Sequence, residues 1–101
     1  MSDKGLWSIF TDELGVCYIT KMNVVHIHHV FPGAGRRKIC EKYGFVVPLH
    51  PTLHQWAPDS VHNKPNHGLD LKLKQDCQRY YEEHYGTREE FIKVFGKSYL
   101  Q

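Results

Sequence analysis

A chain of 101 residues with 41% hydrophobic and 24% charged residues predicts one globular domain with a single modest core. Its net charge of +2 is too small to indicate a nucleic-acid-binding protein from bulk electrostatics alone. The apolar runs are far shorter than the roughly 20 residues that a membrane helix needs, which excludes a membrane helix. Residues 1–4 lack the layout of a signal peptide, so we expect a cytoplasmic protein.

Two β-favouring runs are the first predicted elements. Residues 6–10 are a short apolar segment that we expect to pack as an irregular or extended part of an N-terminal arm, residues 1–15. Residues 16–19 and 24–28 are rich in β-branched side chains, and a polar turn separates them. This pattern predicts a β-hairpin.

The middle of the chain predicts a loop, a strand and a short helix. Residues 31–43 are glycine-rich and basic, which favours a long surface loop. Residues 45–47 predict a short buried strand that Pro48 ends. Pro51 suits the first position of a short helix that carries His54, and residues 56–60 break that helix.

The C-terminal third, residues 66–101, predicts two packed helices. Apolar side chains recur at helical spacing and end near Gly86; they are Leu69, Leu73, Cys77 and Tyr80. Thr87 and Glu90 have the spacing of a capping box at the start of a second helix. The inward side of that helix carries Phe91, Val94 and Phe95, and Gly96 ends it.

Histidines in three separated clusters are the strongest chemical signal. They are His26, His28 and His29 on the predicted hairpin, then His54, then His62 beside Asn63. Neutral imidazole is the commonest metal ligand in proteins, so the clusters predict a metal site built from a strand and a helix. Neighbouring strand residues point to opposite faces, so His28 and His29 can share a site only where the strand ends or bends.

This layout resembles the HNH nuclease superfamily, whose ββα-metal unit joins a hairpin, a loop and a metal-bearing helix. It looks closest to small HNH-like proteins of phages and prophages of Gram-positive bacteria. The segments that carry the resemblance are His28-His29-Val30-Phe31, EKYGFVVPL (41–49), His54, Val61-His62-Asn63 and REEFIKVFGKSYL (88–100). The resemblance implies an α+β fold in which residues 16–65 form the ββα-metal unit and the two C-terminal helices pack on it, as one domain over residues 1–101.

The resemblance also implies roles for individual residues. His28 and His54 would be metal ligands with His62 completing the site, and His29 would be the general base. The ion would be a single divalent metal; three imidazoles favour zinc, and Mg²⁺, Mn²⁺ or Ni²⁺ are alternatives.

Further positions have candidate roles. His26 and His50 either support the ligands or lie at the surface, and Asn63 could orient the base. Arg36, Arg37 and Lys38 either bind phosphate or belong to a solvated loop. Many HNH proteins hold a structural zinc with two zinc knuckles. Of the four ligand positions, only Cys17 and His50 could bind metal in this chain, so no structural zinc is expected.

Two functions follow from the resemblance and remain open. The first is a metal-dependent endonuclease whose partner is DNA, with His29 as the base. The second is an HNH-derived zinc protein of low or no activity that inhibits a host defence nuclease by protein binding, in the manner of an anti-CRISPR protein. Its partner would be a host CRISPR nuclease in the bacterial cytoplasm, bound through apolar and aromatic contacts. Imitation of DNA is excluded because the chain is slightly basic.

Overall fold

The computed structural model describes residues 6–33 and 35–100. In chain order the elements are strand β1 (His26–His29), helix α1 (Arg36–Tyr43), strand β2 (Val46–Leu49), a π-helical turn (Thr52–Trp56), helix α2 (Gly68–His84) and helix α3 (Arg88–Phe95). The expectations for residues 1–5 of the arm and for Ala34 of the loop fall outside the described residues. Within the described part of the chain, no helix has the length and apolar character to cross a membrane.

The two strands form an antiparallel pair, but the predicted partner of β1 is wrong. His26 lies opposite Leu49 and His29 lies opposite Val46, so β1 pairs with β2 and not with residues 16–19. The chain around Cys17 folds into a tight turn instead. The Lys21 amide donates to the Cys17 carbonyl at 2.9 Å and the Cys17 amide donates to the Met22 carbonyl at 2.8 Å. These bonds use the backbone groups that a strand would need for a ladder.

The predicted long basic loop is also wrong in its second half, because residues 36–43 form α1. Two glycines mark the boundaries of this helix, and one of them, Gly35, belongs to the run that suggested a loop. Gly35 precedes α1 with φ 81°, and Gly44 ends it with φ 77° and donates its amide to the Cys40 carbonyl. Gly44 is also packed closely: a Cβ there would lie 2.8 Å from the Trp7 ring. Only glycine satisfies both the left-handed backbone and this contact.

Pro48 lies inside β2 instead of ending the strand. Its carbonyl accepts a hydrogen bond from the Tyr18 amide at 2.9 Å, on the edge of β2 that faces away from β1. In an antiparallel pair, the amide and carbonyl of one residue point to the same side, so the missing N–H of Pro48 costs no bond to β1. The same edge is covered by Ser8, whose hydroxyl donates to the Val46 carbonyl at 2.6 Å.

The core lies between the sheet and the helices. Phe31 is at its centre, and its ring centroid is 4.4 Å from that of Phe95 and 5.6 Å from that of Phe91. The buried apolar side chains are Cys17, Val30, Phe31, Cys40, Phe45, Val46, Val47, Leu49, Val61, Leu73, Cys77, Tyr81, Phe91 and Phe95. The two C-terminal helices that the sequence predicts are present as α2 and α3, and they pack against each other, so the protein has a small α+β fold.

The predicted capping box at α3 is confirmed. The Glu90 amide donates to the Thr87 hydroxyl at 3.1 Å, and the Thr87 amide donates to the Glu90 carboxylate at 2.7 Å.

Helix α2 buries only part of the apolar stripe predicted from the sequence. Leu73 and Cys77 are buried, whereas Leu69 and Tyr80 are partly exposed. The buried face instead includes three polar residues at a spacing of four, namely Asp70, Lys74 and Gln78.

Candidate metal centre

Three histidines from separate segments of the chain converge at one place. His28 lies on β1, His54 in the π-helical turn, and His62 between that turn and α2. One nitrogen of each lies within 4.8 Å of a nitrogen of each of the others. The Nε2 atoms of His54 and His62 are 2.9 Å apart. The structure therefore brings the three predicted ligands into a group that could hold a metal ion.

Backbone hydrogen bonds fix where His54 and His62 lie. The Ala57 amide donates to the Thr52 carbonyl at 2.9 Å, closing the π-helical turn around His54. Such single π turns occur often at functional sites. The His62 amide donates to the His54 carbonyl at 3.2 Å, which joins the two ligand segments directly.

Asn63 ties the segment that carries His62 to the end of the π-helical turn. Its side-chain amide donates to the carbonyls of Gln55 and Ala57, each at 2.8 Å. Its backbone amide donates to the hydroxyl of the buried Ser60 at 3.3 Å. Asn63 therefore supports the site by fixing the backbone beside His62. Among the described residues, no hydrogen bond joins Asn63 to His29.

The His28 ring is buried and its chemistry fits a metal ligand. Among the described residues, its Nε2 is a buried side-chain atom without a hydrogen-bond partner. Burial, followed by the neighbouring His54 and His62, lowers the pKa of His28 to about 3. Burial, followed by His62 and His26, lowers the pKa of His54 to about 4. Both rings are therefore neutral at pH 7, which is the form that donates a lone pair to a metal.

His26 contacts His54, which favours the supporting role over the surface role that the sequence left open. The Nδ1 atoms of the two rings are 3.0 Å apart, so one of them donates to the other. When His54 is the donor, its Nε2 keeps a lone pair on the side of His62. Ligating histidines commonly use their second nitrogen in this way, which fixes the tautomer and the ring orientation. This contact follows from strand geometry, because His26 and His28 point to the same face of β1.

His50 does not belong to the three-histidine group. Its Nδ1 lies 3.0 Å from the Thr52 hydroxyl and accepts from the Thr52 amide at 3.2 Å. These contacts shape the entry to the π-helical turn. His50 therefore acts on the site only through the backbone that carries His54.

His29 points to the other face of β1, away from the group. Its Nε2 lies 2.8 Å from Oε2 of Glu41 on α1. The alternation of side chains along a strand explains the separation, because His28 and His29 are neighbours within β1 and not beyond its end. The structure thus places the predicted base beside a carboxylate instead of among the ligands.

The three predicted phosphate-binding residues occupy the first turn of α1 and differ in their surroundings. Arg36 is half-buried, and its guanidinium lies close to the end of α3, where a Cβ on Gly96 would be 3.1 Å away. The Arg37 side chain is 79% exposed, and its Nε lies 3.9 Å from the Glu41 carboxylate. Lys38 is exposed. Arg37 and Lys38 are therefore the two members of the trio that a ligand in solution can reach.

Two buried charges beside the group were not predicted from the sequence. Asp70 and Lys74 form an ion pair of 2.8 Å on α2, and each side chain is 5% exposed. Oδ1 of Asp70 lies 3.9 Å from the Nε2 of His28. The sequence did offer an indication of this pair: Asp70 and Lys74 are four residues apart, on the same side of the helix as the buried Leu73. It was missed because the surrounding residues 70–76 resemble a solvated helix face.

No protein-family model, curated protein or solved structure matches this chain. Its function is inferred below from the three histidines and the groups around them.

Proposed function

We propose that this protein binds one divalent metal ion, with zinc favoured, through His28, His54 and His62. The observation that carries the proposal is the convergence of three imidazoles on one place, together with the buried and unpartnered Nε2 of His28. A buried polar atom without a partner costs free energy unless something satisfies it, and a cation would. Three neutral nitrogen donors form the ligand set of many zinc sites that keep a position open for a substrate.

The proposed reaction is hydrolysis of a DNA phosphodiester by an HNH-like enzyme. The antiparallel pairing of β1 with β2, followed directly by a turn that bears His54, supports this proposal, and helix α1 is inserted between the two strands. The resemblance of the histidine-bearing segments supports it as well. A divalent ion held by the three histidines would supply Lewis acidity toward a phosphate oxygen and the leaving oxygen.

His29 is the proposed general base, and Glu41 would prepare it for that role. An ionised carboxylate only accepts hydrogen bonds, so the 2.8 Å contact assigns the proton to the Nε2 of His29. The Nδ1 then keeps the lone pair that can take a proton from water. Arg37 and Lys38, exposed on the same helix as Glu41, would hold the phosphate backbone.

The test has a binding part and an activity part. Elemental analysis of protein purified without chelator should find about one metal ion per chain, and His54→Ala should abolish its retention. Nicking of supercoiled plasmid is then measured with Mg²⁺, Mn²⁺, Ni²⁺ and Zn²⁺. The variant His29→Ala should lose at least about 100-fold in rate while keeping its metal. The matched control is His67→Ala, an exposed histidine outside the group.

Two results would contradict this proposal. Absence of bound metal from the wild-type protein would remove its basis. Cleavage that is equal in the wild type and His29→Ala would eliminate the role of His29 while leaving metal binding intact.

A second candidate function is inhibition of a host CRISPR nuclease by an inactive, zinc-stabilised protein. One specific observation favours it: Trp56, two residues from the ligand His54, is 70% exposed. Exposed tryptophans are enriched among residues that dominate protein–protein binding energy. An inhibition assay with purified CRISPR nucleases should then show dose-dependent loss of DNA cleavage that Trp56→Ala weakens. Intact nuclease activity at saturating protein would reject this function.

A further inference from the structure

The His28 ring and the Asp70 carboxylate are two buried polar groups that lie close together without a direct hydrogen bond between them. The Nε2 of His28 and Oδ1 of Asp70 are 3.9 Å apart, which is too long for a direct hydrogen bond. Both side chains are about 95% buried, at 6% and 5% exposed. The histidine atom has no hydrogen-bond partner among the described residues. A group that interacts with both atoms would satisfy the pair.

The other oxygen of Asp70 is already fully engaged. Oδ2 accepts from the Lys74 ammonium at 2.8 Å and from the Asn66 amide at 2.6 Å. The Lys74 ammonium also donates to the side-chain oxygen of Asn66 at 2.8 Å. These bonds hold Oδ2 in place and leave Oδ1 facing the Nε2 of His28 at 3.9 Å. In this arrangement Asp70 itself lies outside the group of His28, His54 and His62, whose ligand atoms are within 4.8 Å of one another.

A metal cation is a group that can interact with both the His28 ring and the Asp70 carboxylate. Carboxylate oxygen and imidazole nitrogen are both ordinary zinc ligands at about 2.0–2.2 Å. Two such ligands on a tetrahedral ion lie about 3.3 Å apart. A small rotation of the carboxylate around Oδ2 would bring Oδ1 from 3.9 Å to that distance.

We propose that Asp70 is the fourth protein ligand of the metal centre and binds the ion through Oδ1. This inference rests on the proposed three-histidine site and adds a residue from α2 to it. With four protein ligands, a substrate oxygen would bind the ion as a fifth ligand, a coordination number that zinc reaches in catalysis. Lys74 then has a defined role, since it holds the second carboxylate oxygen and fixes the orientation of the ligand. The ion would connect α2 to β1 and the π-helical turn, so the C-terminal helices would be part of the site.

The experiment measures metal binding directly and does not depend on catalysis. Zinc affinity is determined by competition with a chromophoric chelator, and the visible absorption of bound Co²⁺ reports the ligand geometry. The variants are Asp70→Asn, His54→Ala and the control Asp76→Asn. Asp76 is on the same helix and pairs with Lys72 at the surface, at 3.1 Å. Asp76→Asn should behave as the wild type.

The expected result is a selective loss in Asp70→Asn. Its zinc affinity should fall at least about tenfold, and its Co²⁺ spectrum should change in position and intensity because water replaces a carboxylate. Affinity within twofold of the wild type, with an unchanged Co²⁺ spectrum, would overturn the inference. Loss of binding in His54→Ala in that same experiment would show that the three-histidine site itself stands. Absence of metal binding in the wild type would overturn both.

Removal of one charge from a buried pair can destabilise a fold, so a second variant covers that outcome. The double variant Asp70→Asn/Lys74→Met removes both charges together. It should fold and show the same loss of zinc affinity as the single variant. Wild-type affinity in the folded double variant would also overturn the inference.

Discussion

In the metal-free protein, lowering the pH from 7 to 5 should reduce the free energy of unfolding by about 2 kcal/mol through His28 alone. The folded pKa of this ring is about 3, whereas an unburied histidine has a pKa of 6.5. An imidazole with a depressed folded pKa takes up its proton first in the unfolded chain, so acid favours unfolding. The loss begins as the pH falls through 6.5 and ends near 3. At pH 5, about 1.5 pH units below 6.5, it amounts to about 2 kcal/mol.

The assay is urea unfolding in excess chelator, followed by fluorescence, at pH 7, 6 and 5. The comparison variant is His28→Leu, which removes the titrating group from the same buried position. Other groups titrate equally in both proteins, so the difference between the two pH dependences isolates His28. His54, whose pKa is also lowered, to about 4, reduces the free energy of unfolding on acidification in both proteins. Its contribution is smaller than that pKa alone implies because its ring is partly exposed to solvent. Identical pH dependences in the wild type and His28→Leu would refute the reasoning.

Three further predictions concern zinc binding, the support of His62 by Asn63 and the capping box of α3. Zinc at 100 times its dissociation constant should stabilise the protein by about 2.7 kcal/mol, and a melting temperature unchanged by EDTA would contradict this. Asn63→Ala removes two hydrogen bonds to the π-helical turn, so it should weaken zinc binding measured by titration calorimetry; equal affinity would argue against this support of His62. Thr87→Ala should cost about 1 kcal/mol in urea unfolding because it breaks the capping box, and it should leave the zinc affinity unchanged. An altered affinity in that variant would mean that α3 contributes to the site.

Structural features that depend on residues close together in the sequence could be predicted. The capping box of α3 depends on two residues three positions apart, and both of its bonds are present. Pro51 sets its own backbone angle and therefore marks the start of the turn that carries His54. The grouping of His28, His54 and His62 was also predictable, because few residue types bind metals and these histidines stand out in a short chain.

The pairing of β1 could not be predicted because it is not local. Residues 16–19 have a good strand composition and lie close in sequence, whereas the true partner, β2, follows only after α1. Composition does not reveal that the bonds around Cys17 close a turn. Helix α1 was not predicted for a related reason. The glycines and basic residues of 32–38 indicate a loop by composition, whereas in the structure Gly35 precedes the helix and Gly44 ends it.

Because side chains alternate along a strand, His28 and His29 point to opposite faces of β1 and contact different residues. His28 and His26 share the face of β1 that meets His54, while His29 shares the opposite face with Glu41. The predicted base can therefore reach the ligand group only around the edge of the strand and not across its face. Under the proposed function, a phosphodiester that engages both histidines would have to pass around that edge. Arg37 and Lys38 are exposed on the helix whose Glu41 contacts His29, so they would bind such a substrate on the side of His29 and not on the side of His28.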